Sequence, residues 1–361
     1  MKNKIYIILI PCLILCSVSF AFADDNLWTT TLYFENDLFN GTDSNYTNGA
    51  KLSIISPDLS PHAHDGKLPR RVLEFIHDIP FIEKSTPNYT HQVEFAVGQN
   101  MYTPSDTGKF ELIENDRPYG GWTYISTSYH RKNEARDFMS FMDTVEIQLG
   151  IVGPESYAEE TQKLVHELRD LDQPNGWNNQ LKNEPGLAVA FERKWLFHPV
   201  LTDAFGYSAI THTGAALGNV YTYLNAGVEL RLGWNIPTED FGVSLIRPAG
   251  STRLKIEDRF IMFVFGAVNG KAVARDIFLD GNTFTDSHSI GKNYFVADIA
   301  GGLAVNYKRI ILTWTQVMRT KEFKGQENEH SFGAIALSFS FPIDLSGVFS
   351  TEFGIQKQGD M

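Results

Sequence analysis

The chain has 361 residues, 13% of them aromatic, with 43 acidic against 31 basic side chains and a formal net charge of −12. That acidic balance argues against a nucleic-acid partner, because affinity for phosphate backbones is carried by Lys and Arg. The only two cysteines, Cys12 and Cys16, sit together near the N-terminus, so the rest of the chain can form no disulfide, thiolate nucleophile or sulfur-ligated metal site.

Met1-Lys2-Asn3-Lys4 is a short basic stretch, Ile5 to Val18 is apolar, and Ala21-Phe22-Ala23 is a small-x-small cleavage site. Together they read as a secretory signal peptide over 1–23, which is excluded from fold reasoning. Leu15 and Pro11 precede the cysteines where a lipoprotein signal wants a small residue, so no lipid anchor is expected. Loss of Lys2 and Lys4 with the leader takes the net charge from −12 to −14.

After the leader no apolar run reaches the roughly 20 residues of a membrane-spanning helix. What recurs instead is period-two alternation in aromatic and β-branched segments. They fall at 27–37, 46–56, 91–101, 121–131, 139–152, 187–198, 201–215, 219–234, 257–273, 292–307, 308–321 and 330–341. The clearest runs from Ser331 to Phe341, with one apolar face and one small or polar face. This pattern predicts an all-β fold: a transmembrane antiparallel β-barrel of twelve strands over 24–341, with a periplasmic tail over 342–361. A secreted β-sandwich is the competing fold, disfavoured by the aromatic-rich strands and the leader.

With a periplasmic N-terminus, the loops 38–45, 102–120, 153–186, 216–218, 274–291 and 322–329 face the exterior. Short inner turns are expected at 199–200 and around Lys308, and long inner connections at 57–90 and 235–256. Within the first of these, Arg71 to Ile76 reads as a short amphipathic helix. Ser156 to Arg169 contains no Pro or Gly and carries Leu164, Val165 and Leu168 at helical spacing, so a helix is expected in that extracellular loop.

Two constellations carry chemistry. Phe34-Glu35-Asn36-Asp37 ends the first strand and Tyr46-Thr47-Asn48-Gly49 begins the second, which gathers an amide, a carboxylate and a hydroxyl at one rim. On the loop helix, Gln162 and His166 share a face, and Asp172 follows six residues later. A His beside a carboxylate can be an oriented general base. Strand parity puts His166 and Asp172 on the same rim as Asn36, Asp37 and Thr47, where independent polar groups could converge on one site. Asp37 to Asp43 is dense in hard oxygen donors, which favour calcium over zinc, without EF-hand spacing. Lys109 and Arg117 lie in outer loop 102–120, where cations could meet anionic phosphates. No Gly-x-Ser-x-Gly elbow, His-Glu-x-x-His helix or phosphate loop is present.

These residues, in this order, resemble the outer-membrane lipid A 3′-O-deacylases of Gram-negative bacteria, the LpxR family. Glu35-Asn36-Asp37, Tyr46-Thr47-Asn48-Gly49, Gly150 to Pro154, Gln162 with His166, and Gly176 to Gln180 carry the resemblance over nearly the whole mature chain. It implies a twelve-stranded barrel with an active site at the outer rim, beside a loop helix facing the lipid leaflet. It also implies that Asn36, Asp37 and Thr47 are the metal-associated and polar residues and that His166 is the base. The carboxylate partner falls on Asp172, where some members carry Glu. Gln162 and Lys109 match pocket positions. The implied activity is calcium-dependent hydrolysis of an ester-linked acyl or acyloxyacyl chain of lipid A, by a monomer in the outer membrane whose partner is lipopolysaccharide. The alternatives are a non-catalytic pore or structural barrel, and a surface adhesin, for which the outer loops are short.

Overall fold

The computed structural model describes residues 27–37, 45–59, 89–133, 138–238, 240–242, 245–250 and 259–342. The expected leader, the helix expected over 71–76, the oxygen-rich loop 38–44 and residues 343–361 of the expected tail lie outside these.

Twelve strands follow in chain order: β1 (Leu27–Asn36), β2 (Asn45–Ile55), β3 (Tyr89–Thr103), β4 (Gly120–Asn133), β5 (Met139–Val152) and β6 (Glu184–Thr202), then β7 (Phe205–Gly218), β8 (Tyr221–Trp234), β9 (Ile261–Asp276), β10 (Phe295–Tyr307), β11 (Ile310–Arg319) and β12 (His330–Pro342). Each pairs antiparallel with its sequence neighbours, and β1 closes on β12 from Leu27↔Pro342 to Asn36↔Gly333. Closure removes every sheet edge, which in hydrocarbon would leave backbone groups unpaired at several kcal/mol each. Some expected boundaries move: Ala216 to Gly218, expected as an outer loop, belong to β7. His198-Pro199 does not turn the chain; it lies in an irregularity of the β6–β7 ladder between Phe197 and Val200, and the turn comes at Asp203, which has φ 56°. Proline is tolerated where a ladder is already broken.

Alternation separates two solvents. On β1, Thr29, Thr31, Tyr33 and Glu35 are buried toward the lumen, while Leu32 is 49% exposed on the outside. Leu52, Phe95, Val97, Ile125 and Leu149 continue that apolar outer band around neighbouring strands. One rim carries the long connections 104–119, 153–183, 277–294 and 320–329. The other carries the short turns 203–204 and 308–309 together with the long connections β2–β3 and β8–β9.

Twelve strands enclose more space than side chains alone conveniently fill. Here ion pairs and inserted chain occupy it. Lys51 meets Glu94 at 3.0 Å, Arg231 meets Glu229 at 2.6 Å, and Asp298 joins Arg319 at 2.6 Å and Lys271 at 3.0 Å. Part of the long connection between β8 and β9 turns up into the barrel, where Arg247 pairs with Glu192 at 2.7 and 3.0 Å. Nearer the long-loop rim, helix α2 (Ile277–Asp280) buries Ile277, Phe278 and Leu279. Phe278 stacks on Tyr102 at 4.0 Å, and the Tyr102 and Tyr221 hydroxyls lie 2.8 Å apart. Tyr46, Trp122, Tyr124 and Tyr223 extend this aromatic layer, and Ala249 of the inserted segment packs into it.

A lumen filled this way is a poor conduit. Reconstituted in planar bilayers in concentrated KCl, the protein is expected to show no stepwise single-channel conductance. Steady conductance steps would mean that the described lumen segment leaves the barrel.

Candidate active site

The outward face is apolar through the middle of the barrel and becomes polar at the long-loop rim. Asn36 continues the outward row of Leu32 and Phe34, yet it is only 3% exposed. Its register partner on β2 is Asn48, also buried, and Asn48 in turn pairs with Met101 of β3. Asp37, just beyond β1, is fully buried. Thr47 sits where the β2–β3 register slips between Tyr46 and Asn48, and its hydroxyl lies 2.7 Å from that of Thr103.

The loop after β5 roofs the adjoining outer wall of β3 and β4. Gly153, at φ +99°, turns the chain into a 3-10 turn at Pro154–Ser156 and then helix α1 (Ala158–Arg169). The Ser156 carbonyl accepts hydrogen bonds from Gln99 and Thr123 on the outer wall, both at 2.7 Å. Gly121 makes the close approach possible: a Cβ there would stand 2.2 Å from the Ala158 Cβ and 2.3 Å from the Ser156 Oγ. A glycine pair inside a strand pattern, Gly120-Gly121, is the sequence sign of such an approach.

Helix α1 is turned opposite to a soluble amphipathic helix. Its buried row is Ala158, Gln162 and His166, whereas Leu164 and Leu168 are 53% and 47% exposed. The spacing of Leu164, Val165 and Leu168 located the helix correctly, but the apolar side faces away from the barrel and the polar row faces in. Gln162 accepts a 2.8 Å hydrogen bond from the buried Trp177 indole, fixing its amide. Trp177 packs with Met101, Tyr119 and Ala158 beneath the helix.

At the end of α1, Asp170 adopts φ 57° and folds the chain back. The Nδ1–H of His166 thereby donates to the main-chain carbonyl of Asp172 at 2.5 Å. That bond holds the hydrogen on Nδ1 and leaves Nε2 as the basic nitrogen. The expected carboxylate contact is corrected: the Asp172 side chain is exposed, and its backbone does the orienting.

Arg117 also departs from expectation. It is not placed to meet a lipid phosphate, as its position in the outer loop suggested: it is 1% exposed, 3.1 Å from Glu322, and lies over the Tyr102 ring at 4.7 Å. Burial pushes the Glu322 carboxyl up, but Arg117 and Arg319 outweigh it and hold it below the usual carboxylate range. Lys109 remains exposed, 3.6 Å from Asp106. Its loop is stitched to the one after α1, since Asn175 N–H donates to the Thr107 carbonyl and the Asn179 amide to the Phe110 carbonyl. The structure therefore sets Asn36, Asp37, Thr47, Gln162 and His166 at one rim, with Lys109 at its margin and Arg117 behind the wall. Asn48 and Thr103 were missed because pairing across strands is not visible in a linear pattern.

The family model described as Outer membrane protein LpxR matches residues 8–341. Among solved structures, LpxR from Salmonella typhimurium aligns with a TM-score of 0.67 at 17% identity, over 87% of this chain and 100% of that one. The β domain of the Bordetella autotransporter BrkA gives 0.40 at 7% identity, over 88% of this chain and 99% of that one. The translocator domain of NalP from Neisseria meningitidis gives 0.37 at 8% identity, over 88% of this chain and 90% of that one. Among curated proteins there is no significant match.

Gly121→Leu tests the roof. Overpacking at this contact should weaken docking of α1 by about 1–3 kcal/mol, or roughly 5- to 150-fold in the docking equilibrium. Trypsin should then cut faster after Lys163 and Arg169 while the barrel keeps its heat-modifiable migration. Unchanged cutting would mean that α1 is held by other contacts.

Proposed function

The chain belongs to the LpxR family of outer-membrane proteins, and from that premise we propose that it is a lipid A 3′-O-deacylase. The reaction proposed is hydrolysis of an ester-linked acyl or acyloxyacyl chain at the extracellular rim. The observation that carries this reading is the side of the wall on which the polar residues lie. Asn36 and the roofing helix with Gln162 and His166 are on the outer surface, which is lipid-facing, and not in the lumen. An acyl ester in the leaflet reaches such a site by lateral diffusion. The exposed Tyr157, Leu164 and Leu168 give α1 an apolar side for acyl chains.

His166 is the general base: its Nε2 takes a proton from the attacking water, while the Asp172 carbonyl holds Nδ1–H and steadies the imidazolium that results. Asn36 and Thr47 position the ester at the strand ends, Gln162 lines the helix side, and Lys109 meets a lipid phosphate at the margin. The oxygen donors are the buried Asp37 carboxylate, the Asn36 amide beside it in sequence and the Thr47 hydroxyl on the next strand, and no cluster of three or more His, Cys, Asp or Glu occurs among the described residues. Oxygen donors of this kind fit calcium, which tolerates neutral ligands and irregular geometry. Calcium held there by Asp37 and Asn36 would polarise the ester carbonyl and offset oxyanion charge. No serine nucleophile is required.

Mass spectrometry of lipid A from cells with and without the protein tests the activity. Loss of one ester-linked chain, absent with His166→Ala in a folded barrel, is the expected result; removing the base should lower the rate about 10²- to 10⁴-fold. Unaltered lipid A with wild-type protein would contradict the reading. Chelation and Asp37→Ala should each silence the enzyme, with calcium restoring only the chelated sample; full activity in excess chelator would remove calcium from the mechanism. Because the backbone of Asp172 orients His166, Asp172→Asn should stay within a few-fold of wild type. A loss of about 100-fold or more would place the carboxylate itself on the imidazole.

A further inference from the structure

The lumen segment ends directly behind the site. Residues 240–242 and 245–250 leave the short-turn rim and run inside the barrel. Phe241 packs with Met142, Leu196 and Ile210, and the Asp240 carbonyl accepts from Arg231 at 3.1 Å. At the tip, three contacts hold three different strands. Arg247 forks onto Glu192 of β6, the Ala249 N–H donates to Glu146 of β5 at 2.6 Å, and the Ile246 N–H donates to Glu35 of β1 at 2.6 Å.

The last contact is the informative one. Glu35 is the lumen-facing residue immediately before Asn36 and Asp37, and its register partner on β2 is Gly49, immediately after Asn48. Ile246 lies close against this pair: a Cβ on Gly49 would stand 3.2 Å from the Ile246 Cδ1. A segment entering from the opposite rim thus touches the inner side of the β1–β2 hairpin, one residue from the Asn36–Asn48 pair on its outer side. Breaking a backbone N–H hydrogen bond to a buried side-chain oxygen leaves both groups unsatisfied, which is costly. Successive residues of a strand point to opposite faces, so fixing Glu35 inward fixes Asn36 outward.

We propose that the tip 245–250 is a brace for the site hairpin and that Glu35 is a positioning residue, gripped by the Ile246 N–H so that Asn36 and Asp37 hold their place at the end of β1. The proposal rests on the reading of Asn36 and Asp37 as site residues. A segment that merely filled the lumen would serve equally well with any contact to β1.

The test uses the full-length protein with Glu35→Ala, Glu35→Gln and Ile246→Pro, the last removing the N–H donor. Folding is read by heat-modifiable migration, kcat and KM on lipid A, and backbone mobility by hydrogen exchange at 36–37 and 46–49. Glu35→Ala and Ile246→Pro should lower kcat about 10- to 100-fold with little change in KM, as expected for a misplaced reacting geometry. Exchange in the hairpin should quicken while β7–β8 stays protected. Glu35→Gln should retain most activity, since its amide oxygen still accepts from Ile246. Folded Glu35→Ala with wild-type kcat and wild-type hairpin exchange would overturn the brace, and so would Glu35→Gln failing as badly as Glu35→Ala. If Ile246→Pro does not fold, the two Glu35 variants decide. Inactive wild-type protein would count against the deacylase reading, and the exchange measurement would still decide the brace.

Discussion

In hydrocarbon every backbone N–H and C=O needs a partner within the protein, and that requirement shapes the rest of the molecule. It forces the twelve strands to close, β1 on β12, and closure assigns alternate side chains to lipid and to lumen. Once the faces are assigned, a residue's parity decides its possible role. Glu35 can only stabilise from inside, and Asn36, its neighbour, can only act outside. On the outer wall of β3 and β4, α1 turns Ala158, Gln162 and His166 inward and its leucines away.

The lumen meets the same demand by a different route. Charges there are paired across strands and to the inserted segment, so few are left to attract ions through the barrel. Such buried pairs add little net stability over apolar packing, but removing one partner costs about 3–5 kcal/mol, which fixes the arrangement once formed. The segment that completes them, 245–250, also touches the strand bearing Asn36. Filling the barrel and steadying the site are then two consequences of one insertion.

What the sequence made legible follows from locality. Period-two alternation is written residue by residue, so all twelve strands were recoverable, with errors where a breaker misled, as at Pro199. The helix was legible from its spacing and its lack of Pro and Gly, but its orientation was not. Leu164 and Leu168 would face a core in a soluble protein, and only knowing the surrounding solvent reverses that. Asp172 meets His166 through its main-chain carbonyl and not its carboxylate, because the αL turn at Asp170 that presents this carbonyl leaves no plain mark in the sequence. Arg117 looked like a loop cation because its partner Glu322 lies 205 residues away. The lumen segment was invisible as such: a long inner connection carries no local sign of where it folds.

The proposed deacylation requires above all that the substrate be met on the lipid side of the wall. A photoreactive amino acid placed at Leu164 or Leu168, on the outward side of α1, reads this directly in intact cells, with Ser126 in the lumen as the comparison. Irradiation is expected to give lipid adducts at Leu164 and Leu168 and none at Ser126. Lipid adducts at Ser126 with none on the helix would place the substrate inside the barrel and contradict the account.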